Sequence, residues 1–238
     1  MSDKLVKEPV GARGRVYGTV IYIPEDASVD FGSEKDRTVC FDKSVSSPRV
    51  LLVSTWVDGL WGFAGGKMEP DDETPVQTMN REFIEETGCD TIEFTDDHLA
   101  WIRLSGDTNY PSYFYIFKTA NKKEFEQVVG AFEGRRPKGY VDEIFAVAGL
   151  PIWFEGPSNL DLLQWGDGIH GLPKIIQAMT PGISGSKVAT DTLVLCLLYT
   201  GIMTMEQMKR VDDMAAKLNH DRFLEKVMKI DGIENILT

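Results

Sequence analysis

The chain has 238 residues, of which 42% are hydrophobic and 26% charged, a composition typical of a globular protein with one large domain or a domain and an appendage. Its 37 acidic and 25 basic residues give a net charge of −12, which argues against a general nucleic-acid coat and against attraction to anionic membranes. The longest nearly unbroken apolar stretch, 193–203, is too short to span a bilayer, and the beginning MSDKLVKEPV lacks the apolar core of a secretory signal. We therefore expect neither a membrane nor a DNA partner.

Three cysteines, Cys40, Cys89 and Cys196, are widely separated in the sequence. An odd count without paired spacing excludes a zinc knuckle and a disulfide framework, and it is typical of a reducing compartment. The expected location is therefore intracellular, in the cytoplasm or the nucleus.

Runs rich in β-branched and aromatic residues predict strands, and apolar residues at helical spacing predict helices. In chain order, six strands are predicted, at 16–23, 50–57, 60–63, 99–104, 112–118 and 144–147. Six helices are predicted, at 74–87, 122–132, 172–179, 187–199, 205–218 and 221–229, with a helix end at Gly201. Strands mixed with helices in this order indicate an α/β or α+β fold.

The helix at 74–87 has the clearest boundaries. Thr74 is suited to the N-cap, Pro75 to the first helical position, and Gln77 completes a capping box. Gly88 follows the last turn as a C-terminal stop. These signals fix both ends of the helix.

Three carboxylates share one face of this helix, because Glu82, Glu85 and Glu86 stand at i, i+3 and i+4. Like charges this close repel one another, and a hard divalent ion such as Mg²⁺ or Mn²⁺, which takes oxygen ligands, relieves that repulsion. Arg81, four residues before Glu85, can pair with it and hold its orientation. Taken alone, the run also fits a solvated acidic helix face, the usual meaning of such a pattern.

The surrounding residues resemble the Nudix box, G-x5-E-x7-R-E-U-x-E-E-x-G-U, in which U is an apolar residue. Gly65-Gly66 are followed by Glu73, then by seven residues and the run Arg-Glu-Phe-Ile-Glu-Glu-Thr-Gly-Cys over 81–89. The one departure is a loop of six residues, not five, between Gly66 and Glu73. So many fixed positions at fixed spacing make the signal specific. The resemblance implies the Nudix fold, an α/β/α sandwich with a mixed β-sheet, in which the box forms a loop-helix-loop.

Further segments are similar to one Nudix branch, the U8-snoRNA-decapping and inosine-diphosphate-hydrolysing enzymes. These segments are LWGFAGG, the strand at 113–118, YVDEIFAVAGLPIWF and GIHGLPKII. The likeness covers roughly 14–200. It implies a Nudix hydrolase domain over 1–203, with 204–238 as a helical extension packed on it.

By this resemblance, Glu82, Glu85 and Glu86 are metal ligands and catalytic residues, joined by the backbone carbonyl of Gly65. Glu143, within VDEIF, matches a glutamate that completes the metal site, so the site is expected to hold two or more Mg²⁺ or Mn²⁺ ions. Either Glu86 or Glu143 could act as the general base. For Glu143 the alternative is a surface charge at the end of a strand.

Substrate contacts are implied at four positions. Phe63 matches an aromatic residue that stacks on the substrate base, and a core-facing aromatic is the alternative. Trp56 could likewise stack on a base or fill the core, and Arg15 and Arg49 are candidates to hold phosphates. Gly18 and Trp56 stand where the branch has polar residues that read the purine, so a preference for inosine does not transfer to this chain.

The implied activity is metal-dependent hydrolysis of a pyrophosphate bond. The substrate is either the 5′ cap of RNA, releasing m7GDP, or a free nucleoside di- or triphosphate, giving the monophosphate. The net charge of −12 favours the free nucleotide, because long RNA contacts need a positive track. The alternative is a catalytically silent Nudix-fold module that binds a nucleotide or RNA.

Two expectations concern assembly. The resemblance implies a homodimer. A methionine-rich stripe in the C-terminal helices either packs on the parent domain or a second subunit, or binds a regulatory partner; its methionines are Met203, Met205, Met208 and Met214.

Overall fold

The structure is a computed structural model that describes residues 14–25, 48–55, 60–69, 72, 74–104, 110–134, 144–151, 187–188, 190–202, 204–206, 208–209, 225, 228–229 and 233. Within these residues seven strands form one sheet. They are β1 (Arg15–Tyr22), β2 (Arg49–Thr55), β3 (Leu60–Gly62), β4 (Leu99–Leu104), β5 (Pro111–Lys118), β6 (Ile144–Pro151) and β7 (Lys187–Val188). The helices with described bounds are α1 (Pro75–Thr87), α2 (Lys122–Gly134) and α3 (Thr190–Tyr199), with a 3₁₀ turn at Asp96–His98.

The sheet is mixed. Its strand order is β4-β5-β1-β2-β3-β7, and β6 pairs with β2 in addition. β1 runs parallel to β5 and antiparallel to β2, and β3 runs parallel to β7. This arrangement confirms the predicted α/β class with a mixed sheet.

Helices α1 and α2 cover one face of the sheet. Met79 and Phe83 of α1 and Phe125 of α2 join Val16 and Val20 of β1 in one buried apolar cluster. Burying large apolar side chains such as these stabilises the fold by about 1.5–3 kcal/mol each. The acidic residues of α1 are therefore left on the sides of the helix that do not face the sheet.

Helix α3 lies on the opposite face. Successive strand residues point to opposite faces, so Tyr17 points away from the cluster that contains Val16. Phe114 stacks on Tyr17 and on Trp101, with ring centroids 5.1 and 4.9 Å apart. The ring of Tyr199, the last residue of α3, lies 6.0 Å from that of Trp101. Helices on both faces make the fold an α/β/α sandwich.

Gly18 of β1 lies directly beneath α1. A Cβ at this position would lie 2.6 Å from Sδ of Met79 and 3.3 Å from a ring carbon of Phe94. The missing side chain thus gives α1 room to pack closely against the sheet. In this fold Gly18 serves helix packing.

The structure confirms the six predicted strands and the helices predicted at 74–87 and 122–132, with small shifts at the ends. The predicted end at Gly201 is also confirmed, because this residue has φ +70° and its N–H donates to the carbonyl of Leu198. No helix among the described residues is both long and apolar enough to cross a membrane.

The helix predicted at 187–199 is wrong at its beginning. Lys187–Val188 form β7, paired with Leu60 and Trp61 of β3, and α3 begins only at Thr190. A pairing with a distant strand overrides the local helical pattern there.

Much of the C-terminal third falls outside the described residues. The helix predicted at 172–179 and the boundary between 203 and 204 lie there, so both stay predictions. Residues 205, 206, 208, 209 and 225 are helical, whereas Met228 and Lys229 lie in a turn, which shortens the helix predicted at 221–229.

Candidate active site

Helix α1 is capped at both ends, by side chains at its beginning and by backbone at its end. The N–H of Gln77 donates to the hydroxyl of Thr74 (3.3 Å), and the N–H of Thr74 donates to the side-chain oxygen of Gln77 (3.0 Å). Pro75 occupies the first turn, and Gly88 ends the helix at φ +75° with its N–H donated to the carbonyl of Ile84. Both predicted caps are confirmed, so the residues between them keep a defined rotation about the helix axis.

The path of residues 64–67 beside β1 is set by backbone hydrogen bonds. The N–H of Gly18 donates to the carbonyl of Ala64 (2.7 Å), and that of Val16 donates to the carbonyl of Gly66 (3.0 Å). Gly65 has φ +153°, and a Cβ there would collide with the carbonyl oxygen of Val16. Only glycine fits at this position, because both the backbone conformation and the space exclude a side chain.

Two carboxylates of α1 reach the Gly65-Gly66 turn. The N–H of Gly65 donates to Oε2 of Glu86 over 2.7 Å. The carboxylate of Glu82 lies so close to Gly66 that a Cβ on Gly66 would collide with it. The turn and the helix therefore form one site, in which two acidic side chains adjoin bare backbone.

Arg81 uses all five of its N–H groups, four on the carboxylates of Asp72, Glu82 and Glu85 and one on a backbone carbonyl. Nη1 donates to Oε1 of Glu82 (3.0 Å) and to Oε2 of Glu85 (3.1 Å). Nη2 donates to Oδ2 of Asp72 (2.9 Å) and to the carbonyl of Lys67 (3.2 Å), and Nε donates to Oδ1 of Asp72 (3.4 Å). A guanidinium offers five donors in a rigid plane, so Arg81 is saturated in this arrangement. The predicted pairing of Arg81 with Glu85 is confirmed.

These contacts shift the pKa values of the charged groups. Burial raises the pKa of the Glu82 carboxyl, and the neighbouring charges of Glu85 and Glu69 raise it further, against the opposing effect of Arg81. The hydrogen bond to Asp72 is the main cause that raises the pKa of Arg81 above its usual range. Glu82 is thus partly buried beside the like charges of Glu85 and Glu69, and a bound cation would relieve this repulsion.

The donor set fits a hard divalent cation, because carboxylate and carbonyl oxygens are the ligands that Mg²⁺ and Mn²⁺ prefer. The carboxylates do not yet converge, since Glu82 and Glu85 contact Arg81 while Glu86 contacts Gly65. In the part of the chain that the structure describes, no three acidic, histidine or cysteine side chains form a group that could hold a metal ion. Glu143 lies outside that part, so the ligand set stays a prediction.

Of the two arginines predicted to bind phosphate, one lies near the glycine turn and the other does not. Arg15 lies near the glycine turn, because its backbone bridges to Lys67, and its guanidinium donates to the hydroxyl of Tyr17 (3.4 Å). Arg49 pairs with Tyr22 at the other end of the eight-residue strand β1, about 23 Å away. The structure therefore brings Arg15, and not Arg49, to the box.

Of the two aromatic residues predicted to stack on a base, the structure describes one. Phe63 is only 7% exposed, which favours its alternative role as a core aromatic. Trp56 lies outside the described residues. Stacking on a base stays a prediction for both.

Sequence reasoning missed two side chains that organise the site. Asp72 binds Arg81 with both carboxylate oxygens. Asn80 fastens α1 to the next segment, since its amide donates to the carbonyl of Phe94 (3.0 Å) and accepts the N–H of Phe94 (2.7 Å). The sequence signal for Asp72 is its place in the box loop, one residue before the Glu73 that matches the box spacing.

Comparison with known proteins points to the part of the chain that contains the glycine turn and α1. Residues 38–155 match the family profile of the NUDIX domain. RNA pyrophosphohydrolases of Helicobacter pylori strains G27 and HPAG1 are each 30% identical to this chain over 69 residues, which cover 29% of this chain and 44% of each relative. The chain therefore spans less than half the length of the curated relatives it matches.

Among solved structures, the solution structure of the E. coli ORF135 protein aligns with 74% of this chain and 100% of that chain. The sequence identity is 19% and the TM-score is 0.30. The match of residues 38–155 to the NUDIX domain profile agrees with the resemblance to Nudix proteins, whereas the decapping and inosine-diphosphate branch is not distinguished.

Proposed function

Because this chain contains a Nudix domain over residues 38–155, we propose that it is a metal-dependent hydrolase of a pyrophosphate bond in a nucleotide. The observation that carries the proposal is the contact of α1 with the glycine turn, where Glu86 accepts the N–H of Gly65 and Glu82 adjoins Gly66. Acidic side chains packed against backbone in this way supply only oxygen donors, the chemistry that binds a hard cation beside a phosphate.

The cation would be held by Glu82, Glu85 and Glu86, with the carbonyl of Gly65 and, by resemblance, Glu143. When bound, Mg²⁺ or Mn²⁺ supplies charge neutralisation of the phosphate oxygens and lowers the pKa of water. The chain orients the ligands beforehand, because Gly65 fixes one oxygen of Glu86 and Arg81 fixes one oxygen of Glu82 and one of Glu85. Such orientation spares the site much of the cost of ordering its ligands.

The proposed reaction uses water as the nucleophile and a carboxylate as the base, and it gives two phosphate-bearing products. The oxygen of a water molecule bonds to one phosphorus, the anhydride P–O bond breaks, and the bridging oxygen leaves with the second product. Glu86 or Glu143 takes the proton of the attacking water. Arg15, which lies beside the glycine turn, is placed to bind a phosphate oxygen.

Two substrate classes compete within this proposal. The names of the curated relatives favour an RNA substrate, since those proteins are RNA pyrophosphohydrolases. The net charge of −12 favours a free nucleoside di- or triphosphate. The same cleavage chemistry serves both, so only products can separate them.

The experiment is product analysis with the purified full chain, in Mg²⁺, in Mn²⁺ and after chelation with EDTA. The panel holds m7G-capped RNA, RNA with a 5′ triphosphate, IDP, ITP, GDP and ADP-ribose. Release of m7GDP or pyrophosphate from RNA above all free-nucleotide rates identifies an RNA 5′-end hydrolase. Faster conversion of one free nucleotide to its monophosphate identifies a nucleotide-pool enzyme.

Turnover that persists in EDTA would contradict the metal requirement. No turnover of any substrate, together with tight nucleotide or RNA binding, would establish the catalytically silent module in place of the hydrolase. Chelation therefore serves as the matched control for every substrate on the panel.

The proposal includes an intracellular homodimer. The chain mass is 26.6 kDa, so light scattering at micromolar concentration is expected to give twice that mass. A particle of the monomer mass would remove the dimer from the proposal without affecting the hydrolase.

A further inference from the structure

Four polar residues form one row across three neighbouring strands and the segment after the glycine turn. Arg103 of β4 pairs with Ser112 of β5, and Ser112 pairs with Arg15 of β1. Arg15 in turn bridges to Lys67, the residue that follows Gly65-Gly66. Residues paired in this way point to the same face of a sheet. The row therefore places three cationic side chains and one hydroxyl side by side.

The row lies on the sheet face that is opposite α1. Val16 and Tyr113, the next residues of β1 and β5, belong to or pack on the apolar cluster beneath α1. Successive strand residues alternate between the two faces, so the members of the row point away from that cluster. One step further along the same face, Tyr17 and Phe114 are stacked with their ring centroids 5.1 Å apart. The row thus borders on an aromatic layer at the margin of this face.

The row is accessible and is not neutralised by acids of its own strands. Arg15 and Lys67 are exposed, and Ser112 and Arg103 are half-buried. Strands β1, β4 and β5 contain no acidic residue, although the whole chain has 37. Ion pairs between described residues include neither Arg15 nor Lys67. A chain with a net charge of −12 therefore carries a local strip of positive charge.

This strip begins at the proposed metal site. Lys67 adjoins the glycine turn, and its carbonyl accepts a hydrogen bond from Nη2 of Arg81 (3.2 Å). Neighbouring strands lie about 4.8 Å apart, so the three steps from Lys67 to Arg103 span about 14 Å. Strand β4 stands at one end of the described strand order. The strip therefore leads from the glycine turn to an edge of the described sheet.

A strip of this length fits a ligand that carries phosphates at intervals. In a free nucleoside di- or triphosphate the phosphates are contiguous, and the metal ion and Arg15 of the proposed site already bind them. An RNA whose 5′ end occupies that site continues beyond its first nucleoside with one phosphate for each further nucleotide. Guanidinium, ammonium and hydroxyl groups are among the groups that contact nucleic-acid phosphates. The row supplies all three, which meets the need of an RNA substrate for a positive track.

We propose that Lys67, Ser112 and Arg103 continue the phosphate contact of Arg15 and bind the backbone of an RNA chain whose 5′ end lies at the glycine turn. This inference rests on the proposed function and assigns RNA as the substrate class of that site. Contacts to phosphate carry no direct sequence information, so the row binds RNA without regard to its bases.

The test is binding of a short, 3′-labelled RNA to the full chain in Mg²⁺, measured by fluorescence anisotropy at several KCl concentrations. The RNA carries a 5′ monophosphate and therefore has no anhydride bond to hydrolyse. Each phosphate contact of a single strand contributes about 0.7 to the slope of log affinity against log salt. K67Q and R103Q are each expected to reduce the steepness of that slope by about 0.7 and to weaken binding about 5-fold.

Three comparisons isolate the row. K118Q is the matched control and should keep the wild-type slope, because Lys118 is an exposed cation on the same face of β5, about 20 Å from Ser112. R103K retains the charge and should also keep the slope, a result that a purely structural role of Arg103 does not predict. GMP has a single phosphate, so in competition it should lose less affinity than RNA in both glutamine variants.

Wild-type RNA affinity and slope in K67Q would overturn the inference, and K67Q decides alone if circular dichroism shows that R103Q does not fold. Equal losses in K118Q, or a loss for GMP as large as that for RNA, would also overturn it. Failure of the wild-type chain to bind RNA would remove the inference and leave a hydrolase of free nucleotides. Binding that depends on the row in a chain that hydrolyses nothing would leave the inference standing while the proposed activity fails.

Discussion

The backbone N–H of Gly65 donates a 2.7 Å hydrogen bond to Oε2 of Glu86, across 21 positions of sequence. The donor belongs to a turn whose φ of +153° excludes a side chain, and the acceptor belongs to the last turn of a capped helix. This bond joins the glycine turn to the acidic helix that follows it. It aligns an acidic side chain with the backbone that, by resemblance, supplies the carbonyl ligand.

Replacement of Gly66 by alanine tests whether the turn must stay bare. The added Cβ would collide with the carboxylate of Glu82, so this side chain must leave its place beside the turn. A displacement of about 1 Å at a reacting centre can cost about 100-fold in rate, and we expect a loss of this order in steady-state turnover. Gly130→Ala is the control, because nothing lies within 4 Å of a Cβ there.

The control variant Gly130→Ala is itself expected to change the stability of the fold. Gly130 lies inside α2 and is exposed, so alanine should raise the free energy of unfolding by about 0.5–1 kcal/mol and leave turnover unchanged. Urea unfolding measures the first quantity. Equal turnover in both alanine variants would contradict the importance of the turn.

The link between α1 and Phe94 predicts a stability effect. In N80D the side chain can accept the N–H of Phe94 but can no longer donate to its carbonyl, which an anionic oxygen then faces. We expect a loss of about 1–3 kcal/mol in the free energy of unfolding. N121D is the matched control, since Asn121 uses its oxygen as an acceptor for the N–H of Glu124. A loss as large in N121D would refute the two-bond explanation.

The caps of α1 and the pairing of Arg81 with Glu85 could be predicted because their partners lie within four residues of each other. Strand β7 could not, because Lys187 pairs with Leu60, far away in sequence. The contact of Asp72 with Arg81 was likewise hidden, since it depends on the path of the loop and not on spacing. Local sequence signals thus predicted the helix, whereas the contacts of its side chains depend on how the whole chain folds.

Asp72 also predicts a pH dependence of stability. Burial raises the pKa of its carboxyl, but hydrogen bonds from Arg81, the backbone of Glu69 and Thr78 outweigh burial and hold that pKa below 3.8. A depressed folded-state pKa contributes stability above the unfolded value, and this contribution is lost as pH falls through the folded value. The difference in unfolding free energy between the wild-type chain and D72N should therefore shrink below pH 3.8.

Urea unfolding of both proteins at about pH 7 and about pH 3 measures this difference. The same difference at the two pH values would mean that Asp72 gains nothing from its charged contacts. A difference in unfolding free energy that grows at the lower pH would contradict the expected direction.

The described cysteines predict a thiol-labelling result. Cys89 and Cys196 are free and buried, and burial raises the pKa of the Cys196 thiol well above its usual range. In C40S, which removes the cysteine outside the described residues, neither thiol should react with DTNB in the native state. Both should react in denaturant. A fast-reacting thiol in the folded variant would contradict the packing of α3 or of the segment after α1.

We propose that Glu86, aligned by Gly65, takes part in metal-dependent hydrolysis. The most direct measurement is turnover of the best panel substrate by E86Q in saturating Mg²⁺, beside E93Q, which neutralises an exposed glutamate outside the box. We expect E86Q to lose about 100-fold or more in kcat, while E93Q keeps the wild-type value. Wild-type turnover in E86Q would contradict the account.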